Sequence, residues 1–108
     1  MFETTINSNT YFFNLSNSDL VEMEYLDEGF KTLSNKIAKS TTKQERADVF
    51  IKVVKKSFGK KSFDGRLFYK NDNQTDEFLL SKDGIDLIEL LSTDSSFAVD
   101  FVKGVVSM

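Results

Sequence analysis

The chain has 108 residues, 40% of them hydrophobic, eleven phenylalanines, a net charge of −3, and no cysteine, histidine, proline or tryptophan. Without cysteine there is no disulfide framework, no thiolate zinc site and no thiol nucleophile. Without histidine, the usual general base near neutral pH and the commonest transition-metal ligand are both missing.

The first fifteen residues read as a β-hairpin. Phe2, Thr4 and Ile6 alternate along one segment, Asn7-Ser8-Asn9 is polar and turn-tolerant, and Tyr11, Phe13 and Leu15 share one face with Phe12 on the other. Such a hairpin either covers a helical core or offers an exposed edge to another chain. Asn17 or Ser18 is placed to cap a short helix through Leu20, Val21, Met23 and Tyr25, with Asp19 and Glu22 in its first turn. A second, amphipathic helix is expected to begin near Asp27, with Phe30, Leu33 and Ile37 on its apolar side and Lys36 and Lys39 near its end.

Ser40-Thr41-Thr42 is a break, and Thr42 followed by Glu45 matches a capping box. The helix it opens has an apolar stripe of Ala47, Phe50, Ile51, Val54 and Phe58, flanked by Val49 and Val53. Gly59 is placed as the left-handed residue that ends it, with Lys55, Lys56, Lys60 and Lys61 around the negative end of the helix dipole. Asp64-Gly65 marks a turn, either a tight hairpin loop or one that returns Leu67, Phe68 and Tyr69 to the core.

Asn71–Thr75 predicts the start of a short helix through Phe78, Leu79 and Leu80, and Ser81–Gly84 predicts a break. Ile85, Leu87, Ile88, Leu90 and Leu91 predict a largely buried helix. After Ser92–Ser96, a last helix carries Phe97, Ala98, Phe101, Val102 and Val105. The expected fold is a single domain over residues 1–108, mainly α: a short N-terminal β-hairpin (1–15) followed by a compact bundle of five or six short helices (16–108).

Charge is segregated along the chain. Residues 1–30 carry six acids and no base, residues 31–42 three lysines, residues 43–70 nine bases against three acids, and residues 71–108 eight acids against two bases. The blocks either complement each other, within the fold or between subunits, or form solvated faces. The N-terminus has neither the basic region nor the apolar run of a signal peptide, and no stretch approaches the roughly 20 apolar residues of a membrane span.

Little in the sequence carries reaction chemistry, and no catalytic, cofactor-binding or metal-ligating residue is assigned. Gly59-Lys60-Lys61-Ser62 lacks the earlier glycine of a phosphate-binding loop, since Val54 stands there and a helix precedes it. The acid pairs Glu22/Glu24, Asp27/Glu28 and Asp83/Asp86 fall at helix starts or on polar faces. The 72–76 segment lacks the glycine and terminal glutamate of a calcium loop. The lysine cluster with Phe63, Phe68 and Tyr69 could contact nucleic acid, but the chain is acidic overall and has only two arginines, Arg46 and Arg66.

With these segments in order, the sequence resembles the small tail assembly chaperones of long-tailed, siphovirus-like bacteriophages. Four stretches carry the resemblance: Tyr11–Ser16 with Asp19–Glu24, Phe50–Gly59, Lys61–Phe68, and Leu87–Asp94 through Phe97–Gly104. The resemblance implies a non-enzymatic partner of the tape measure protein, which keeps that long helical protein soluble while tail tube protein polymerises around it. It also implies residence in the host cell cytoplasm, absence from the mature virion, and relatives with a frameshifted longer form. A chain ending at Met108, just after the last apolar helix, would be the short form, and a homo-oligomer is an open alternative.

A chaperone for an apolar helix needs a hydrophobic groove with a charged rim. The expected groove involves Leu87, Leu91, Phe97, Phe101 and Val105, with Lys55, Lys56, Lys60 and Lys61 on the rim. The competing reading makes those five apolar residues ordinary core. The competing functions are a structural tail component of the virion and a small regulator that binds a host protein or nucleic acid.

Overall fold

The computed structural model describes residues 1–106. The Met108 end, on which the short-form expectation rests, lies outside the described residues. The alternation at the N-terminus produces a hairpin. Strands β1 (Phe2–Ile6) and β2 (Asn9–Phe13) pair antiparallel, with Phe2 opposite Phe13 and Ile6 opposite Asn9. Asn7 and Ser8 between them hold φ of 50° and 72°. A two-residue connection needs that left-handed backbone to match the strand twist.

Three helices follow: α1 (Asn17–Leu26), α2 (Phe30–Lys39) and α3 (Lys43–Ser57). The cap of α1 is Ser16, not Asn17 or Ser18. Its hydroxyl accepts from the Asp19 N–H while the Asp19 carboxylate accepts from the Ser16 N–H, which completes a capping box. Asp27 belongs to the end of α1, so α2 starts later than expected, at Phe30 behind Gly29. Thr42 caps α3 as expected, by accepting from the Glu45 N–H. The return arm differs, since the Glu45 carboxylate accepts from the N–H of Thr41.

Gly59 does not end α3. Phe58 has extended backbone (φ −62°, ψ 136°), and the chain runs directly into β3 (Phe58–Lys61), antiparallel to β2. Gly59 lies opposite Phe12. A Cβ there would sit 2.4 Å from the Phe68 ring and 2.7 Å from the Tyr69 carbonyl oxygen, so the missing side chain serves close packing rather than a left-handed turn. β4 (Phe68–Tyr69) pairs with β3, giving a four-stranded antiparallel sheet in the order β1-β2-β3-β4. The N-terminal hairpin thus gains two strands that the sequence reading did not place. The Asp64-Gly65 turn forms the tip of the second hairpin, with Gly65 at φ 74°.

The chain ends in α4 (Asp72–Leu80), α5 (Lys82–Thr93) and α6 (Ser95–Val105), capped by Asn71, Ser81 and Asp94. The expected break at 81–84 is one residue long. The Ser81 hydroxyl donates to the Phe78 carbonyl at the end of α4 and accepts from the Gly84 N–H at the start of α5. Among the described residues there are six helices, so the fold is mainly α with an N-terminal hairpin, as expected.

The hairpin covers the helices with its inner face. Phe13 is fully buried, with its ring centroid 5.6–6.4 Å from those of Phe2, Phe58, Phe78 and Phe101. Phe58 and Phe78 stack at 4.4 Å and close the gap between β3 and α4. Phe12 points to the opposite face, under the Lys61 ammonium. Beyond β2, the Leu15 N–H donates to the Val105 carbonyl and ties the hairpin to the end of α6.

Candidate functional site

The nine residues expected to form a binding surface do not share one. Leu87, Leu91, Phe101 and Val105 are fully buried, and Phe97 is half-buried. Phe2, Phe13 and Phe50 pack directly on Phe101, so the space expected to be a groove is filled by the chain's own aromatic rings. Of the two sequence readings of these five residues, the structure places four as core.

The lysines diverge. Lys55 stands on the outer side of α3, and Lys56 is turned towards α1, 3.7 Å from Glu22. Lys60 and Lys61 project from β3 beside β2. Among the described residues, Lys55, Lys60 and Lys61 make no ion pair.

The apolar surface left open lies elsewhere, because several helices carry more apolar residues than one face can bury. On α3, the buried side is Val49, Phe50, Val53, Val54 and Ser57, so Ala47 and Ile51 fall outside it. On α4, Phe78 turns inward while Leu80 is 82% exposed. On α5, which the sequence predicted to be largely buried, Leu87 and Leu91 turn inward, while Ile88 is half-buried and Ile85 is exposed.

These leftovers converge. Ala47, Ile51, Leu79, Leu80, Ile85 and Ile88 floor an open groove of about 540 Å³ between α3, α4 and α5. Lys43 and Lys55 stand along its α3 side, and Asp76 and Glu89 along the other. Lys43 and Glu89 join at 2.5 Å across one end. The signal was present in the sequence as apolar runs too wide for a single stripe, such as Phe78-Leu79-Leu80.

A second groove of about 490 Å³ lies between α2, α3 and the α5–α6 junction. Ile37, Ala38, Phe50, Ala98, Val99 and Val102 give it apolar walls, and Arg46 and Lys103 are its charged lining residues. The Arg46 Nε–H donates to the Ser92 carbonyl at 2.8 Å, which fixes the guanidinium at the rim.

Much of the charge segregation closes within the fold. Lys36 and Lys52 both clasp Glu28, whose carboxyl they lower to about 2. Lys70 pairs with Asp19 at 2.5 Å and also donates to the Lys56 carbonyl at the end of α3. The early acids therefore meet lysines of the middle blocks. At exposed positions such pairs fix geometry more than they add stability.

The acids of α5 do the same for the hairpin. Asn7 donates to Asp83 and Asp86, Asn9 to Asp83, and the Tyr11 hydroxyl to Asp83. Burial, and then the Asp83 carboxylate, push the Tyr11 hydroxyl up to about 12, while the Tyr11 and asparagine hydrogen bonds lower Asp83. Asp83 and Asp86 are thus tied to the β1–β2 turn rather than arranged as an acid–base pair.

Among the described residues, no group of three or more histidine, cysteine, aspartate or glutamate side chains is placed to hold a metal ion, and no helix is long and apolar enough to cross a membrane. A surface of this kind, with open apolar grooves and charged rims, suits the binding of protein segments. The family model described as phage tail assembly chaperone matches residues 2–107 of the chain. Comparison with curated proteins and with solved structures gave no match.

Proposed function

Since the chain belongs to the phage tail assembly chaperone family, we propose that it binds the tape measure protein of its phage and keeps it soluble until the tail tube polymerises around it. The family is of a non-catalytic kind and works on protein partners of the tail. The action proposed here is correspondingly binding alone, in the host cell cytoplasm, with release before the virion is complete.

The observation that supports this beyond family membership is the floor of the groove between α3, α4 and α5. Leu80 and Ile85 are 82% and 57% exposed, beside half-buried Ile51, Leu79 and Ile88. An apolar strip between charged edges is the surface against which an amphipathic helix buries its own stripe. A helix bound there leaves its polar face in water and cannot aggregate through its apolar one.

Co-expression tests this. The soluble fraction of the tape measure protein is measured with no chaperone, with the wild-type chain, and with a Leu80→Glu/Ile85→Glu variant. Both side chains are exposed, so the variant should keep its fold by circular dichroism. The expected result is solubilisation by the wild type and loss of it with the variant. Tape measure protein that stays insoluble beside wild-type chain would overturn the proposal. Detection of the chain in purified virions by mass spectrometry would favour a structural tail component instead.

A further inference from the structure

The two grooves differ in charge, and this difference points to different occupants. The α3–α4–α5 groove has both signs at its rim, with Lys43 and Lys55 facing Asp76 and Glu89. The groove between α2, α3 and the α5–α6 junction has only cations, Arg46 and Lys103, and no carboxylate lines it. We propose that this second groove is a separate docking site for an amphipathic helix that carries carboxylates along the edge of its apolar stripe.

Three observations support that occupant. The walls are aliphatic and aromatic, with Ile37 from α2, Phe50 from α3, and Ala98, Val99 and Val102 from α6, so the buried part of the ligand is apolar. The Arg46 Nε–H is already committed to the Ser92 carbonyl, which leaves the terminal amino groups of the guanidinium as donors in a fixed orientation. Among the described residues no carboxylate pairs with Arg46 or Lys103, although the acids elsewhere on the chain clasp lysines in numbers. A helix bearing lysines beside its stripe would bring like charges together at this rim, and an acidic one would neutralise both cations.

This inference rests on the reading that the chain acts by holding helices, and it adds which chemistry one groove selects. The test uses the full-length chain and three labelled synthetic helices that share one Leu/Ala stripe and carry Glu, Gln or Lys at the flanking positions. Binding is followed by fluorescence anisotropy. At low salt the Glu-flanked helix should bind roughly fivefold tighter than the Gln-flanked one, as expected for two exposed ion pairs, and the Lys-flanked helix should bind weakest. The preference should narrow at high salt.

Lys103→Glu should abolish the preference for the acidic helix, Val99→Glu should weaken that preference, and Leu80→Glu in the other groove, whose rim carries both signs, should leave the preference in place. Circular dichroism reports whether each variant is folded, and exposed Lys103 gives a readout even where Val99→Glu does not fold. Equal binding of the three helices, binding of none, or loss of the acidic preference through Leu80→Glu rather than Lys103→Glu would overturn the proposal. If the tape measure protein is solubilised while no acidic preference appears, this inference fails and the functional reading stands. Acidic preference without solubilisation gives the reverse.

Discussion

Gly84→Ala sets two elementary effects against each other. In a helix, alanine is favoured over glycine by about 1 kcal/mol, so the sequence alone recommends the change. Gly84 lies in the first turn of α5, and a Cβ there would fall 1.9 Å from the Phe78 carbonyl oxygen, 2.8 Å from the Phe78 carbonyl carbon and 3.0 Å from the Leu79 Cα. All three atoms are backbone, so no side chain can swing aside. The first contact is more than 1 Å shorter than side chains tolerate.

Relief requires α4 and α5 to move apart at the single residue, Ser81, that caps both. That motion strains the Ser81 hydrogen bonds to Phe78 and Gly84. Overpacking against a rigid neighbour costs about 3 kcal/mol. Less the propensity gain, the net loss is about 2 kcal/mol, or a fall of roughly 10 °C in Tm for a domain of this size. Urea unfolding followed by circular dichroism measures it, with the m-value as a check that the unfolded states are alike. A Gly84→Ala protein as stable as wild type, or more so, would show that the α4–α5 junction is not as close as described.

Glu28→Gln should destabilise the fold at pH 7. The native Glu28 carboxyl is depressed to about 2 by hydrogen bonds and charge from Lys36 and Lys52. Its contribution is therefore present above the ordinary carboxylate range and disappears as pH falls towards 2. The two proteins should accordingly converge in stability across that window when melted at a series of pH values, and a constant gap would rule the clasp out. Tyr11→Phe removes a hydrogen bond to Asp83 and should cost about 1 kcal/mol. The folded hydroxyl titrates at about 12 against an ordinary value of 10.0, so the benefit is full below pH 10 and is lost as pH rises through 12. Denaturant titrations of both proteins at neutral pH and near pH 11 check the direction. Gly59→Ala should destabilise the sheet, because its Cβ would meet the Phe68 ring at 2.4 Å and the Tyr69 carbonyl at 2.7 Å, and hydrogen exchange in β3 should rise faster than in α5.

The local structure is legible from the order of residues alone. The alternation from Phe2 to Leu15 gave the first hairpin, and Thr42 and Asn71 marked the starts of α3 and α4. The apolar periodicity pointed to five or six helices, and six are present among the described residues. These features depend on residues three or four apart, or on alternate residues, so a single chain carries them in full view. The ordered likeness of four stretches to tail assembly chaperones was equally legible and agrees with the family match over residues 2–107.

Which apolar residues stay outside depends on long-range packing. Leu87 and Leu91 looked no more buried than Ile85 and Ile88 along the chain, yet the packing of α5 against α3 and α6 places the first pair in the core and leaves the second pair along a groove. Gly59 makes the same point, since a glycine after a helix suits a left-handed stop as well as a crowded strand. The return of β3 to β2 and the approach of Phe68 selected the strand. A helix with apolar residues around more than one face has no internal reason to prefer one of them. The choice comes from partners distant in sequence, and the faces they leave uncovered form the surface available to another protein.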